Sequence, residues 1–301
     1  MFIRHRILGA LLTSAALVGC HAFGGSYYPH RAELSETRQA DLGGAEILDV
    51  QSRNGALTVL GEDRDDVHAE LTRFARGSSE EDARQAVEKV TVEISKPGDG
   101  RTLAIVVRVP DSLKRRSAGA NINLRIPRRL DLQAESSNGR IEVENLEGNV
   151  KAHSSNGSVR TTRIVGNVDL RTSNGRIDVD QVDARSILAV SSNGALAVRN
   201  SHANANGETS NGPFEFELLT LGERPQVSVR TSNGSVDVKL PASVAADLRL
   251  RTSNGKIRTA LDGARVSGMS TSKRELEATL NGGGGRIEAR TSNAGIQLST
   301  R

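Results

Sequence analysis

A pair of neighbouring carboxylates can hydrolyse a glycosidic bond, with one acting as general acid and the other as base or nucleophile. The nearest arrangement of this kind in the 301-residue chain is the group Asp178, Asp180, Asp183 and Arg185. Charged residues that alternate with apolar ones are also typical of the outer face of a strand, where they keep a sheet soluble. We therefore expect no catalytic residues here, and a carbohydrate-active β-helix enzyme is the alternative.

Metal ligation would need histidines or carboxylates at characteristic spacings. The six histidines, at positions 5, 21, 30, 68, 153 and 202, form no such spacing. An acidic run at residues 62–66 is interrupted by Arg64 and does not follow the spacing of an EF-hand. The sequence therefore predicts no metal site and no cofactor.

Cys20 is the only cysteine, so the chain cannot form an internal disulfide. Before it come two arginines, Arg4 and Arg6, and an apolar run of about 12 residues, which is too short to span a bilayer. The four residues 17–20, Leu-Val-Gly-Cys, resemble the lipobox of bacterial lipoproteins. The resemblance implies that residues 1–19 are a signal peptide and that Cys20 becomes an acylated N-terminus. His21 in place of Asp implies sorting to the outer membrane.

The segment after Cys20 is predicted to be a flexible tether. Residues 20–42 contain Gly24, Gly25 and Pro29 among mostly polar residues without periodicity. Its length would hold a folded domain away from the lipid.

Composition excludes a nucleic-acid partner and favours strands. Removal of Arg4 and Arg6 leaves 38 basic and 36 acidic residues, a net charge of +2 instead of +4. Aromatic residues are only 2 % of the chain, so the core must be built from Val, Ile, Leu and Ala.

The dominant pattern is an internal repeat of Asn-Gly preceded by Ser or Thr-Ser. Its asparagines are separated by 18, 18, 19, 18, 22 and 21 residues, close to the length of one solenoid coil. Further copies stand at Asn54 and, in degenerate form, at Asn293. The repeated pairs are Asn138 and Gly139, Asn156 and Gly157, Asn174 and Gly175, Asn193 and Gly194, Asn211 and Gly212, Asn233 and Gly234, and Asn254 and Gly255.

Apolar residues alternate with polar ones on both sides of each Asn-Gly pair, which indicates strand, tight turn, strand. Asn and Gly both tolerate the positive φ of tight turns, so we expect that conformation there. Stacked turns would align the asparagines in a ladder.

These features predict an all-β chain with a parallel β-solenoid, or β-helix, over residues 136–301. Residues 43–135 would cap its N-terminal end and hold one helix, which Ser78 and Glu81 would begin as a capping box. An antiparallel meander or sandwich of Asn-Gly hairpins is the alternative.

Residues 46–299 resemble the bacterial adhesin family called domain of unknown function 4097, through the early Asn-Gly unit, the Glu-rich helix, the serial Ser-Asn-Gly units and the Gly-rich loop before the last copy. The resemblance implies a β-helical cell-envelope protein and brings no catalytic residues. We therefore expect a non-catalytic, lipid-anchored adhesin or scaffold, with the membrane and an envelope protein or glycan as partners. An envelope-stress or assembly factor that binds a protein is a further alternative.

Overall fold

The computed structural model describes residues 8–11, 28–220 and 224–301, which divide into two compact units, Met1–Glu142 and Val143–Arg301. Cys20 and most of the predicted signal peptide lie outside the described residues.

The first unit contains nine strands, one α-helix and a short 3-10 helix within its described part. Its strands fall in two groups, one around the central strand β3 (Ile47–Gln51) and one around β4 (Leu57–Glu62) and β8 (Gly119–Pro127). In chain order the elements are β1 (Leu8–Leu11), β2 (His30–Asp41), β3 (Ile47–Gln51), β4 (Leu57–Glu62), β5 (Asp66–Gly77), α1 (Glu80–Glu88), β6 (Thr91–Ser95), β7 (Thr102–Arg108), the 3-10 helix Asp111–Leu113, β8 (Gly119–Pro127) and β9 (Asp131–Ser136). Strand β10 (Ile141–Leu146) crosses the unit boundary.

Parallel pairing forms the centre of the first unit. Strand β3 lies between β7 and β9, parallel to both, and β6 adds to β7 in antiparallel orientation. In the other group β4 and β8 are parallel, β5 pairs antiparallel with β8, and β2 pairs antiparallel with β5.

Helix α1 begins one residue later than the sequence predicts. Ser79 is the N-cap, and its hydroxyl accepts a hydrogen bond from the amide of Asp82, whereas Ser78 donates its own amide and hydroxyl to the Asp82 carboxylate. Ser79 and Asp82 have the same three-residue spacing as Ser78 and Glu81, so the sequence pattern is compatible with either serine as the N-cap. The helix buries Ala83, Ala86 and Val87, which lie at helical spacing on one face.

The predicted tether is shorter than expected, because residues 30–41 form strand β2. All 12 of its residues pair with β5, from His30 opposite Gly77 to Asp41 opposite Asp66. Only Ala40 is buried, so main-chain pairing rather than an apolar stripe builds this strand. Periodicity in the sequence therefore gave no signal for it.

The second unit is nearly all strand. Its longest strands are β14 (Ile177–Ser191) and β15 (Leu196–Thr209), with 15 and 14 residues. The elements are β11 (Val150–Ser154), β12 (Val159–Val165), β13 (Val168–Thr172), β14 (Ile177–Ser191), β15 (Leu196–Thr209), β16 (Phe214–Thr220), β17 (Gln226–Thr231), β18 (Val236–Leu240), β19 (Ala246–Thr252), β20 (Ile257–Ala260), β21 (Val266–Thr271), β22 (Glu275–Leu280), β23 (Gly285–Thr291) and β24 (Ile296–Thr300).

These strands form two rows of parallel strands, one on each side of the Asn-Gly turns. The leading row, before the turns, runs β11–β13–β14–β15–β17–β23–β19. The trailing row, after the turns, runs β12–β14–β15–β16–β18–β24–β20. The unit is thus a parallel β-solenoid, as predicted, and the repeats are not hairpins of an antiparallel meander.

The last repeat does not sit at the end of the stack. Strand β23 is inserted between β17 and β19, and β24 between β18 and β20, with parallel pairing on both sides. The displaced strand β19 pairs on its other side with β22, which continues to β21, both antiparallel. This is the only antiparallel part of the second unit as described.

The core of the second unit consists of the alternating apolar residues on both sides of the turns. Leu170, Ile177, Val179, Phe216 and Val238 are completely buried. Stacking these apolar residues from coil to coil buries one face of both strands, so the solenoid needs no further layer of secondary structure to cover its core.

Candidate functional site

The turn asparagines form a continuous row of side-chain hydrogen bonds in the second unit. Each amide Nδ2 donates to the Oδ1 of the neighbouring asparagine at 2.6–2.8 Å. The order of the row is Asn156, Asn174, Asn193, Asn211, Asn233, Asn293, Asn254. The degenerate copy at Asn293 is therefore a full member and lies inside the row.

The first unit contains a matching pair. Asn138 donates through Nδ2 to Oδ1 of Asn54 at 2.7 Å. Asn54, which looks like an isolated early copy in the sequence, thus forms the same asparagine-to-asparagine hydrogen bond as the regular repeats.

The turn glycines are needed for close approach rather than for a positive φ. A Cβ at Gly194 would lie 1.6 Å from the carbonyl oxygen of Gly175, and one at Gly234 would lie 1.7 Å from that of Gly212. Of the Asn-Gly glycines, only Gly55 has a positive φ among the described residues. The expectation of left-handed turn residues was therefore wrong, because turns in successive coils pack backbone against backbone.

Left-handed residues lie instead at a second bend of the coil. Arg163, Gln181 and Asn200 have φ of 54°, 55° and 49°, and each follows its turn asparagine by seven residues. Asparagine tolerates this conformation at low cost, and the other two must be held in it by the flanking strand pairs.

A buried hydroxyl supports each turn from inside. The Thr172 hydroxyl accepts from the amide of Gly175 and donates to the carbonyl of Gly157 in the preceding coil, at 3.1 Å in both cases. Ser191, Thr209 and Thr231 repeat this arrangement. The Ser or Thr two residues before each asparagine thus satisfies buried backbone groups, a role that the repeat pattern alone did not reveal.

The candidate group Asp178, Asp180, Asp183 and Arg185 lies along strand β14, and neighbouring side chains bind two of its carboxylates. Asp178 lies 2.8 Å from Arg176 and 3.6 Å from both Arg160 and Arg199, and only 14 % of its side chain is exposed. Asp180 accepts a hydrogen bond from Asn200. The carboxylate of Asp178 is thus paired with one arginine of its own coil and two of the neighbouring coils.

This charge network continues along the trailing row to Glu215. Arg199 hydrogen-bonds to Glu215 at 2.5 Å, which holds the pKa of the Glu215 carboxyl below its ordinary value and raises that of Arg199. Lys239 of the next strand lies 3.9 Å from the same carboxylate. The arrangement fits cross-strand pairing of charges, which stabilises adjacent strands.

Over residues 8–11, 28–220 and 224–301, no three His, Cys, Asp or Glu side chains are close enough to share a metal ion. No helix within these ranges has the length and apolarity needed to cross a membrane.

Comparisons with solved structures find similar chains at low sequence identity. A "putative adhesin" from Parabacteroides distasonis shares 13 % identity, with 88 % of this chain and 96 % of that chain covered and a TM-score of 0.49. A "putative adhesin" from Parabacteroides merdae shares 10 %, with coverage of 88 % and 95 % and a TM-score of 0.46. A "putative lipid binding protein" from Parabacteroides distasonis shares 12 %, with coverage of 89 % and 96 % and a TM-score of 0.38.

No curated protein sequence matches the chain. The family model described as "Toastrack DUF4097" matches residues 46–299, which include all of the Asn-Gly repeats. The chain belongs to the Toastrack family, domain of unknown function 4097.

Proposed function

We propose that this protein is a non-catalytic, lipid-anchored protein of the bacterial cell envelope that presents its solenoid as an adhesive or scaffolding surface. The lipid on Cys20 would hold it in the outer membrane. Its binding partner would be another envelope protein or a glycan.

The observation that carries the proposal is the position of the single cysteine. Cys20 follows an apolar run and a Leu-Val-Gly triplet, and no second cysteine exists with which it could form a disulfide. Two or three acyl chains at this residue would make membrane attachment effectively stable. Strand β2 begins at His30, so only a short segment would separate the folded domain from the membrane surface.

The chemistry of the solenoid surface supports a structural rather than a catalytic role. The row of turn asparagines uses its amides on one another, and Asp178 is held by three arginines. Groups with such fixed partners give a rigid surface, whereas a general acid or base must exchange a proton with its substrate.

Separation of inner and outer membranes tests the proposal. Wild-type protein and the tether variant Ser26→Ala should both fractionate with the outer membrane. Cys20→Ala should be absent from that fraction, because a chain without the thiol cannot be acylated. If Cys20→Ala fractionates like Ser26→Ala, the anchor is not at Cys20 and the proposal fails.

A further inference from the structure

Three arginines lie side by side in the leading row of the second unit. Arg230 of β17 is directly opposite Arg290 of β23, and Arg290 is directly opposite Arg251 of β19. All three side chains are exposed. Neighbouring strands are about 4.8 Å apart, so three positive charges stand on three consecutive strands.

The insertion of the last repeat creates this row. In the sequence, Arg230 and Arg251 belong to successive repeats and Arg290 is 39 residues beyond Arg251. Only the placement of β23 between β17 and β19 brings Arg290 between the other two.

Two of the three arginines form no ion pair within the described ranges, although Glu208 of β15 is directly opposite Arg230 in the strand register. Arg251 hydrogen-bonds to Glu275 at 2.6 Å, but neither Arg230 nor Arg290 forms an ion pair. Elsewhere in the same row of strands, Arg171 pairs with Asp169 at 2.9 Å and Arg249 with Glu277 at 2.7 Å. Like charges directly opposite each other destabilise a sheet, so this pair of arginines costs stability unless an anion lies between them.

The arginines line a shallow concavity. It has a volume of about 110 Å³ and is lined by Arg230, Arg249, Arg251 and Arg290, with Glu288 as its one acidic residue. Glu288 lies 3.8 Å from Arg286, and Arg249 is held by Glu277. Arg230 and Arg290 therefore supply the free donors.

We propose that Arg230 and Arg290, with Arg251 beside them, bind a phosphate group. A planar guanidinium offers two parallel N–H donors to one phosphate, and two arginines on adjacent strands can donate to the same tetrahedral anion. The phosphate could be free in solution or part of a lipid headgroup, since both present the same oxygens. The site does not depend on the lipid at Cys20.

Isothermal titration with inorganic phosphate, at constant ionic strength, tests the site on the full chain carrying Cys20→Ala. Arg171→Gln is the matched control, because Arg171 occupies the same register row three strands from Arg230 and the variant loses the same charge. The Cys20→Ala chain and its Arg171→Gln variant should bind phosphate equally, and Arg290→Gln should bind about tenfold more weakly. Absence of saturable binding, or equal binding by Arg290→Gln and Arg171→Gln, would overturn the proposal.

Two further measurements complete the test. In phosphate-free buffer Arg290→Gln should unfold at a temperature no lower than its parent, because it removes a like-charge contact; a clear decrease would mean a structural role for Arg290 and contradict the proposal. Flotation with phosphatidylcholine vesicles, with and without phosphatidic acid, identifies the source. If phosphatidic acid increases binding to the vesicles and Arg290→Gln abolishes the increase, the ligand is a lipid headgroup. If phosphatidic acid does not increase binding, the ligand is a soluble phosphate.

Discussion

Single residues in the turns explain why the repeat has the sequence it has. The asparagine forms the outer row of hydrogen bonds, the Ser or Thr two residues earlier forms an inner one, and the glycine lets adjacent turns touch. The sequence was sufficient to predict the outer row, because identical amides at coil-length spacing must stack. It was not sufficient to explain the glycine, since Asn-Gly is equally common in hairpins that need a positive φ.

Close backbone approach at Gly194 predicts a large effect of a single methyl group. Gly194→Ala should lower the free energy of unfolding by about 3 kcal/mol, because the new Cβ would overlap the carbonyl of Gly175 and force two turns apart. Ser192→Ala, in the same turn but exposed, should change it by less than about 0.5 kcal/mol. Urea unfolding of both variants measures the difference. Equal midpoints would show that the turns are not in backbone contact.

Thr161 places a polar hydroxyl in the core, and replacing it with an apolar side chain should stabilise the protein. It is completely buried at a position where neighbouring coils carry valine, such as Val179, and its hydroxyl has no hydrogen-bond partner. Thr161→Val should therefore raise the free energy of unfolding by about 1 kcal/mol.

The control for that substitution is Thr172→Val. The Thr172 hydroxyl joins two turns, so the same chemical change should lower stability by about 1–2 kcal/mol. A loss of stability in Thr161→Val as large as that in Thr172→Val would refute this description of the core.

At the scale of elements, the solenoid was predictable from the sequence, but the order of its strands was not. Period-two alternation around each Asn-Gly pair identifies the strands, and the helix face at Ala83, Ala86 and Val87 follows from its 3.6-residue spacing. Strand β2 lacks an apolar stripe, and the position of β23 depends on pairings far apart in the chain. Neither strand β2 nor the position of β23 leaves a local signal in the sequence. The row of arginines depends on the position of β23.

The insertion of β23 and β24 predicts an unusual effect of C-terminal truncation. A chain that stops after Asn281 loses the strands between β17 and β19 and between β18 and β20. Hydrogen exchange should then quicken in the amides of β17 and β18 as well as in those of β19. The amides of β12 and β13 serve as an internal reference and should change little. Unchanged protection of β17 would contradict the inserted order.

At the scale of the whole molecule, the proposed N-terminal lipid would hold a folded domain of stacked parallel strands at the membrane. Several outward charges of the second unit are paired across strands, as at Arg199 with Glu215 and Arg249 with Glu277. A surface on which charges of both signs are mixed builds little long-range field, so the proposed anchor rather than electrostatic attraction would hold the protein at its site of action.

The mass of the N-terminal peptide, measured on protein purified from bacterial membranes, tests the central claim most directly. We predict a peptide that begins at Cys20, carries a diacylglycerol group on the thiol and has either an acylated or a free amine. A peptide that retains residues before Cys20, or that begins at Cys20 with an unmodified thiol, would contradict it.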